Sequence, residues 1–270
     1  GNALPADRPE EEIVGYRRAL AWIHQKYEEI SITPDTFLRL HALAQGGASG
    51  DAGHWKKRDN EIIEILPNGE RRIRFVPVSA AETLKAVEQL CLGYQHAIQE
   101  DLLPPLLAVG ALIFDFLCVH PFRDGNGRVS RLLTLLALYQ QGFEVGRYVS
   151  LERLVEEEKE TYYDVLARSS AHWHNATHDL VPWWNHFLST LRQAYISLSE
   201  RLEIVSSGPG KSELVRQAIL HQAPTFTLRE ILTACPSVSP QLARKVLSQQ
   251  RADGCLTLTG RGRGARWHRS

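Results

Sequence analysis

Apolar residues recur at helical spacing along most of this 270-residue chain. Apolar positions three to four residues apart predict amphipathic helices. The predicted helices cover residues 13–27, 35–43, 80–100, 105–119, 127–141, 151–168 and 182–202. One part breaks this pattern, because residues 61–66 and 71–76 are strand-like and flank a turn that contains Asn68-Gly69. Asn-Gly between two such runs is typical of a β-hairpin. The sequence therefore predicts a mainly α protein with one hairpin within residues 54–78.

A cluster of turn-forming residues predicts a second domain. Residues 206–210 are Ser-Ser-Gly-Pro-Gly, a composition typical of a linker. Beyond it, short helices are predicted at 212–221, 227–234 and 240–253, followed by a small hairpin between 255 and 268. Three helices and a β-wing are the plan of a winged helix-turn-helix. We therefore expect a helical domain over residues 1–205, a linker at 206–210 and a winged-helix domain over 211–270.

The charge is divided unequally between these domains, although the whole chain is formally neutral. Residues 209–270 hold 10 Lys and Arg against 3 Asp and Glu, whereas the rest of the chain is acidic. The basic residues of the last predicted helix and of the segment after it are Arg244, Lys245, Arg251, Arg261, Arg263, Arg266 and Arg269. Such a cluster can neutralise the phosphates of a duplex. DNA is thus one expected partner of residues 211–270, and a protein contact is the alternative.

The cysteines and the most apolar segment indicate the compartment. The four cysteines, Cys91, Cys118, Cys235 and Cys255, show no Cys-x-x-Cys spacing, so neither a disulfide framework nor a thiolate zinc site is predicted. Residues 102–119 are strongly apolar but contain two prolines and an aspartate, which favours a buried helix over a membrane span. We expect a cytoplasmic protein without membrane contact, and a homo-oligomer is an open alternative.

The residues with the clearest chemistry are 120–131, which read His-Pro-Phe-Arg-Asp-Gly-Asn-Gly-Arg-Val-Ser-Arg. Pro121 should end the preceding apolar helix just after His120. The next helix should begin near Asn126, so its first turn offers unpaired N–H groups between glycines, which is an anion site.

Charged side chains around this turn complete a set suited to phosphate chemistry. Arg128 and Arg131 lie three residues apart on one helix face and can reach a single polyphosphate. Asp124 is a suitable ligand for Mg²⁺ shared with phosphates. His120 can accept a proton from a hydroxyl group at neutral pH. Together these residues predict attack by a hydroxyl on a bound nucleotide.

The run resembles the Fic family motif, His-x-Phe-x-Asp/Glu-Gly-Asn-Gly-Arg-x-x-Arg, at every specified position. The resemblance extends over residues 13–198. Fic proteins are mostly α-helical, and most transfer AMP from ATP to a Ser, Thr or Tyr hydroxyl of a target protein. The resemblance therefore implies ATP and Mg²⁺ as cofactors and a protein target as partner.

The resemblance also implies a role for each residue of the motif. His120 would be the general base, Asp124 the Mg²⁺ ligand and Phe122 the anchor of the loop. Gly125, Asn126 and Gly127 would form the anion hole, with Arg128 and Arg131 on the outer phosphates. Kinase-like Doc relatives have Lys at the position of Gly127, so AMP transfer is favoured over phosphorylation.

The hairpin resembles the flap of Fic proteins, which pairs with the target's backbone beside the active site. In this chain the target-binding residues of the flap would be Ile62, Ile63, Glu64 and Ile65. An exposed strand edge that recruits an extended segment is ordinary strand addition. A hairpin that only covers the core is the alternative.

Several other interpretations are open at this point. The chain is alternatively a DNA-binding regulator whose Fic domain senses a nucleotide without turnover, or a Fic enzyme that removes AMP or uses another donor. A basic run is formed by Lys56, Lys57 and Arg58. It either binds a nucleotide, binds the target or is only a solvated surface. His172, His174 and His178, near Asp179, form a histidine-rich patch for which zinc is a minor alternative.

A self-inhibitory motif is not found in this sequence. Many Fic proteins are inhibited by a helix with Ser/Thr-x-x-x-Glu-Gly/Asn, and no Ser or Thr of the chain begins such a match. The chain opens with Gly1-Asn2, which is how that motif often ends. One hypothesis is that an inhibitory helix lies upstream of Gly1, and a tag remnant or an unrelated start is the alternative.

Overall fold

The computed structural model describes residues 8–46, 50–65, 69–206, 210–260 and 265–269. The chain divides into two compact units, Gly1–Leu198 and Ser199–Ser270. Gly1-Asn2 and the centre of the predicted linker, residues 207–209, lie outside the described residues. Among the helices of the described ranges, none combines the length and apolar character that crossing a bilayer requires.

The first unit is a helical bundle with one hairpin. Its helices are α1 (Arg8–Lys26), α2 (Pro34–Gln45), α3 (Thr83–Gln99), α4 (Pro105–Val119), α5 (Asn126–Gln140), α6 (Leu151–Glu157), α7 (Lys159–Ser170) and α8 (Val181–Ser206), the last continuing into the second unit. Short 3-10 turns at Val145–Arg147 and Trp173–Asn175 join some of them. The prediction of a mainly α protein is confirmed. The predicted helix at residues 151–168 is wrong in one respect, because a turn at Glu158 divides it into α6 and α7.

The core of this unit is centred on α4 and α5. Both helices bury side chains around most of their circumference, and α4 packs against α3 and α5. Cys91 and Cys118 are buried free thiols. Burial raises the pKa of Cys91 to about 12, so this thiol stays protonated and inert. The loop between α4 and α5 is therefore held at both ends by a packed pair of helices.

The hairpin consists of β1 (Ile62–Ile65) and β2 (Arg71–Phe75), which pair antiparallel. Ile63 lies opposite Ile73, and Glu64 lies opposite Arg72 with an ion pair of 2.8 Å between them. A register irregularity between Ile62 and Ile63 marks the start of the ladder. The predicted hairpin is thus confirmed in place and pairing.

The second unit has its own helices, strands and core. Its elements are α9 (Lys211–His221), β3 (Thr225–Phe226), α10 (Leu228–Ala234), α11 (Pro240–Ala252), β4 (Leu256–Thr259) and β5 (Arg266–Arg269). The three strands form one antiparallel sheet in the order β3-β5-β4. Thr227 and Glu230 form a capping box that starts α10, and Ser239 caps α11. The two-residue strand β3 was not predicted.

Candidate active site

His120 lies where α4 ends. Its backbone is in the left-handed region, with φ 50° and ψ 60°, a conformation that non-glycine residues adopt rarely and often at functional sites. The ring Nδ1 is 3.2 Å from the carbonyl oxygen of Leu117. Because a carbonyl only accepts, Nδ1 carries the proton and Nε2 keeps a free lone pair. Burial, assisted by the positive charge of Lys56, lowers the pKa of His120 to about 4, so the ring is neutral at physiological pH.

The loop after His120 is anchored by Phe122. This side chain is fully buried and stacks on His41 at a ring separation of 3.9 Å and on Trp55 at 5.2 Å. The Asn126 side chain closes the loop, since its Oδ1 accepts from the Phe122 N–H at 2.9 Å and its Nδ2 donates to the Phe122 carbonyl at 2.7 Å. Phe122 thus lies where an anchor was predicted. The amide of Asn126 faces the loop rather than the anion site, to which this residue contributes only backbone.

Two residues before the hairpin brace the same loop, a role that the sequence did not predict for either of them. Lys56 is only 4% exposed, and its Nζ donates to Asn60 Oδ1 at 2.9 Å and to the Val119 carbonyl at 3.2 Å. Asn60 Nδ2 donates to the Phe122 carbonyl at 3.1 Å. The interpretation of Lys56 as part of a solvated basic run is therefore wrong, whereas Lys57 and Arg58 are exposed as expected. Only the Asn and Lys residue types, four apart, hinted at this arrangement.

The first turn of α5 begins where an anion site was predicted. Gly125 precedes it with φ 82°, and a Cβ at this position would lie 2.8 Å from Gln45 Nε2, so only glycine fits. Asn126, Gly127 and Arg128 are the first residues of this helix, so their N–H groups have no partner carbonyl within it. Asp124 is exposed beside them, and its Oδ1 accepts from the Gly125 N–H at 2.7 Å.

Both motif arginines face carboxylates. Arg128 Nη1 lies 2.8 Å from Glu12 Oε2 of α1, and its Nη2 lies 3.6 Å from Asp124 Oδ2. Arg131 Nε lies 3.9 Å from Glu152 Oε1 of α6. The sequence predicted neither glutamate, because both come from helices far from the motif in the chain. A polyphosphate that binds here competes with these carboxylates for the guanidinium groups.

Comparison with known proteins identifies this arrangement. Residues 31–138 match the model of the Fic/DOC family. This chain carries a Fic domain.

Relatives of the Fic domain include the protein adenylyltransferase fic-1 of Caenorhabditis elegans. It is 28% identical over 144 residues, which cover 50% of this chain and 25% of the relative, so the chain spans about a quarter of that relative's length. A Fic family protein of Desulfovibrio desulfuricans G20 has a similar structure, with a TM-score of 0.58 and 20% identity over 100% of this chain and 77% of the other. A Fic domain-containing signalling protein of Bacteroides thetaiotaomicron gives a TM-score of 0.56 at 23% identity, over 72% of both chains. These two likenesses show the fold.

The hairpin of the Fic domain exposes apolar side chains. Ile63 is 48% exposed and its cross-strand partner Ile73 is 52% exposed. Among the described residues, β1 pairs only with β2, so its other edge has no neighbouring strand. Ile62 and Glu64 are half-buried, and the side chain of Ile65 lies outside the described residues. An exposed strand edge with apolar side chains is suited to pairing with an extended segment.

The base of the hairpin is fixed to the Fic domain by the histidine-rich patch. His174 stacks on Phe75 with ring centroids 5.5 Å apart, and its Nε2 lies 2.8 Å from the Val76 carbonyl. His178 stacks instead on Phe114 in the core. Within the described ranges, no three His, Cys, Asp or Glu side chains cluster in a way that could hold a metal ion. His174 and His178 therefore act in packing, against the hairpin and the core respectively.

A cavity of ≈ 310 Å³ opens beside the motif in the Fic domain. Ser130 and Arg131 of α5 form one wall, and Glu152, Tyr162 and Phe187 contribute to the others. Its volume lies at the lower end of the range of ligand pockets, and apolar walls with a few polar groups are typical of them.

Proposed function

We propose that the Fic domain is a protein adenylyltransferase that transfers AMP from Mg-ATP to a Ser, Thr or Tyr hydroxyl of a target protein. The observation that carries this proposal is the state of His120. Its ring is neutral, its Nδ1–H is held by Leu117, and its Nε2 is free to accept a proton. The loop that bears this ring leads directly into the unpaired amides at the start of α5. A relative named as a protein adenylyltransferase supports the same chemistry.

In this reaction the hydroxyl oxygen of the target attacks the α-phosphorus of the nucleotide. A P–O bond forms, the bond to the bridging oxygen breaks, and pyrophosphate leaves with the electron pair. His120 Nε2 takes the hydroxyl proton as the new bond forms. The amides at the start of α5 and the guanidinium groups of Arg128 and Arg131 stabilise the negative charge on the phosphates.

Asp124 is the residue of this site that fits a magnesium ion. Mg²⁺ at nucleotide sites is usually bound by one or two carboxylates together with substrate phosphates, so a single exposed carboxylate beside the anion site is sufficient. Bound Mg²⁺ would neutralise part of the charge on the phosphates. The carboxylate is kept in place by the Gly125 N–H.

The target would be bound by the hairpin. Its backbone would add to the exposed edge of β1, which fixes the register of the modified residue and leaves side-chain identity loosely specified. The exposed pair Ile63 and Ile73 would contact apolar side chains of the target.

Incubation of the full chain with ATP labelled in the α-phosphate tests this function. We expect incorporation of label into the protein itself or into a target, and a loss of about 10²-fold or more in His120→Ala, because a general base contributes this much. His96→Ala, which removes an exposed imidazole of α3, is the matched control and should label normally. Labelling that survives in His120→Ala would contradict the assignment of the base. Parallel incubations with the other three nucleoside triphosphates, and with an AMP-modified protein, distinguish another donor or AMP removal.

We also propose that the second unit is a winged helix that binds duplex DNA. Its order of elements, helix-strand-helix-helix-strand-strand, supports this, as do the exposed Arg244, Lys245 and Arg251 of α11. Arg269 was expected to contact the phosphates of a duplex. Its guanidinium instead donates to carbonyls at the end of α9, including that of Ile219 at 3.4 Å. Arg261 and Arg263 lie outside the described residues.

A further inference from the structure

Lys56 is a buried cation beside the proposed general base. Lysine is almost never fully buried without partners, because an ammonium group loses strong hydration. Here two acceptors replace water, the Asn60 side chain at 2.9 Å and the Val119 carbonyl at 3.2 Å. Burial nevertheless lowers the pKa of Lys56 to about 8, with Asp59 acting in the opposite direction. A charge kept in such a costly place usually has a function.

The contacts of Lys56 lie on both sides of His120. Its Nζ bonds the carbonyl of Val119, the residue before His120, and its backbone N–H donates to the carbonyl of Pro121, the residue after it, at 2.9 Å. Asn60, which binds the same ammonium group, donates to the next carbonyl, that of Phe122. Three backbone carbonyls close to the histidine, those of Val119, Pro121 and Phe122, are thus fixed, directly or through Asn60, by one short segment before β1.

These contacts support an otherwise unfavourable backbone. A non-glycine residue in the left-handed region is energetically unfavourable and persists only where the surroundings hold it. With the turn at His120 fixed, the ring can keep its bond to Leu117 and present Nε2 outward. Lys56 does not itself need to contact a substrate to affect the reaction.

We propose that Lys56 is a positioning residue for His120, acting through its bonds to Val119, Pro121 and Asn60 to fix the orientation of the imidazole. This proposal rests on the adenylyltransferase function of His120. The positive charge of Lys56 also favours a ring that is ready to accept a proton, because a nearby cation favours the neutral imidazole. It is one cause of the lowered pKa of His120, after burial, while the carboxylate of Asp124 acts against it. Among the described residues, Lys56 and Asp124 are the charged groups that act on the ring.

Three substitutions separate these effects. Lys56→Met keeps the length and removes both the charge and the donor. Lys56→Gln removes the charge and keeps a donor, and it also serves if the methionine variant does not fold. Lys56→Arg keeps a charged donor and should restore part of the function. Lys57→Met is the matched control, because the neighbouring lysine is exposed.

Two measurements are made on the full chain, the rate of labelling at saturating ATP and the pKa of the His120 ring from NMR of histidine-labelled protein. For Lys56→Met we expect a roughly 10- to 100-fold lower maximal rate with little change in KM for ATP, the effect of a misplaced catalytic group. The ring pKa should rise towards its ordinary value, and the acidic limb of the pH–rate profile should move with it. Lys56→Gln should show the same rise in pKa with a smaller loss of rate.

A failure of the Lys56 proposal can be distinguished from a failure of the adenylyltransferase function. If the unmodified chain labels nothing with any nucleotide, the adenylyltransferase function fails, while the ring pKa still decides whether Lys56 controls His120. An unchanged rate and an unchanged ring pKa in a folded Lys56→Met or Lys56→Gln variant would overturn the proposal. So would a loss of rate as large in Lys57→Met, or a loss in Lys56→Met that leaves the ring pKa at its original value.

Discussion

Arg128 is held by a carboxylate from a different part of the fold. Glu12 of α1 reaches its Nη1 at 2.8 Å, and side-chain exposures of 19% for Arg128 and 25% for Glu12 place the pair away from bulk water. A partly buried pair interacts more strongly than one at the surface. Nucleotide phosphates that use Arg128 must therefore displace or share Glu12. The strength of this pair influences how tightly ATP binds.

We expect Glu12→Gln to lower the KM for ATP in the labelling reaction. The amide keeps the shape of the side chain but removes the charge that competes for Arg128. Binding of the phosphates then no longer has to break an ion pair worth about 1 kcal/mol, which corresponds to a roughly fivefold lower KM. The control is Glu29→Gln, which removes an exposed ion pair with Lys26 at the far end of the same helix. A KM that is unchanged, or that rises, in Glu12→Gln would mean that Glu12 does not compete with the nucleotide.

At the residue scale, the sequence predicted the members of the motif but not what holds them. Helix periodicity and Pro121 were sufficient to place His120 at a helix end and Asn126 at the next helix start, because both are local effects. The roles of Lys56 and Glu12 were missed for the opposite reason. Each acts on the motif across more than sixty positions of the chain, and no local pattern reveals which exposed-looking charge will be buried by the fold.

At the scale of elements, α1 and α2 pack closely enough to exclude a methyl group. Gly15 of α1 faces the end of α2, where a Cβ would overlap the Leu43 carbonyl and lie 2.8 Å from the backbone of Gly46. Gly46 itself ends α2 in the left-handed conformation, with φ 65°. Because these contacts involve backbone atoms, they cannot be relieved by a change of rotamer. The helix that carries Glu12 depends on this contact for its position.

We expect Gly15→Ala to destabilise the first unit by about 1–3 kcal/mol, since the two helices must move apart. The matched control is Gly93→Ala in α3, where a Cβ meets no described atom within 4 Å. That substitution should be neutral or stabilise by up to about 1 kcal/mol, because alanine favours helix over glycine. Urea denaturation of both variants measures the difference. Equal stability of the two variants would rule out the close contact.

Elements with strong local signals were predicted well. Asn68-Gly69 between strand-like runs predicted the hairpin. The helix starts predicted at residues 35, 105 and 240 lie at or next to Pro34, Pro105 and Pro240, the first residues of α2, α4 and α11. The turn at Glu158 was missed because neither glycine nor proline marks it. The strand β3 was missed because two residues between Pro224 and the helix cap Thr227 form no pattern. It exists only because Thr225 and Phe226 pair with His268 and Trp267 of β5.

At the scale of the whole molecule, the chain carries two units with separate hydrophobic cores and opposite charge. The acidic unit contains the Fic domain, and the basic unit buries Phe226, Ile231 and Leu247 in its own core. The linker composition of residues 206–210 and the charge balance together predicted two domains, and the boundary at these residues stays a prediction. Packing within the second unit directs the apolar side of α11 inward and leaves Arg244 and Lys245 exposed on its other side. An amphipathic helix with a basic outer face is the kind of element that contacts a phosphate backbone.

We expect the full chain to bind duplex DNA with an affinity that falls steeply with salt, because each neutralised phosphate releases counterions. If Arg244 and Lys245 each contact one phosphate, the double variant Arg244→Ala/Lys245→Ala should reduce the slope of log K against log salt by about 2. The control is Arg216→Ala in α9, where the arginine is already paired with Glu213 at 2.9 Å. Fluorescence anisotropy with a labelled duplex at several salt concentrations measures these slopes. Binding that is absent, or a slope that is equal in the double variant and the control, would leave the basic face of α11 for a protein partner and would remove DNA from the function of this chain.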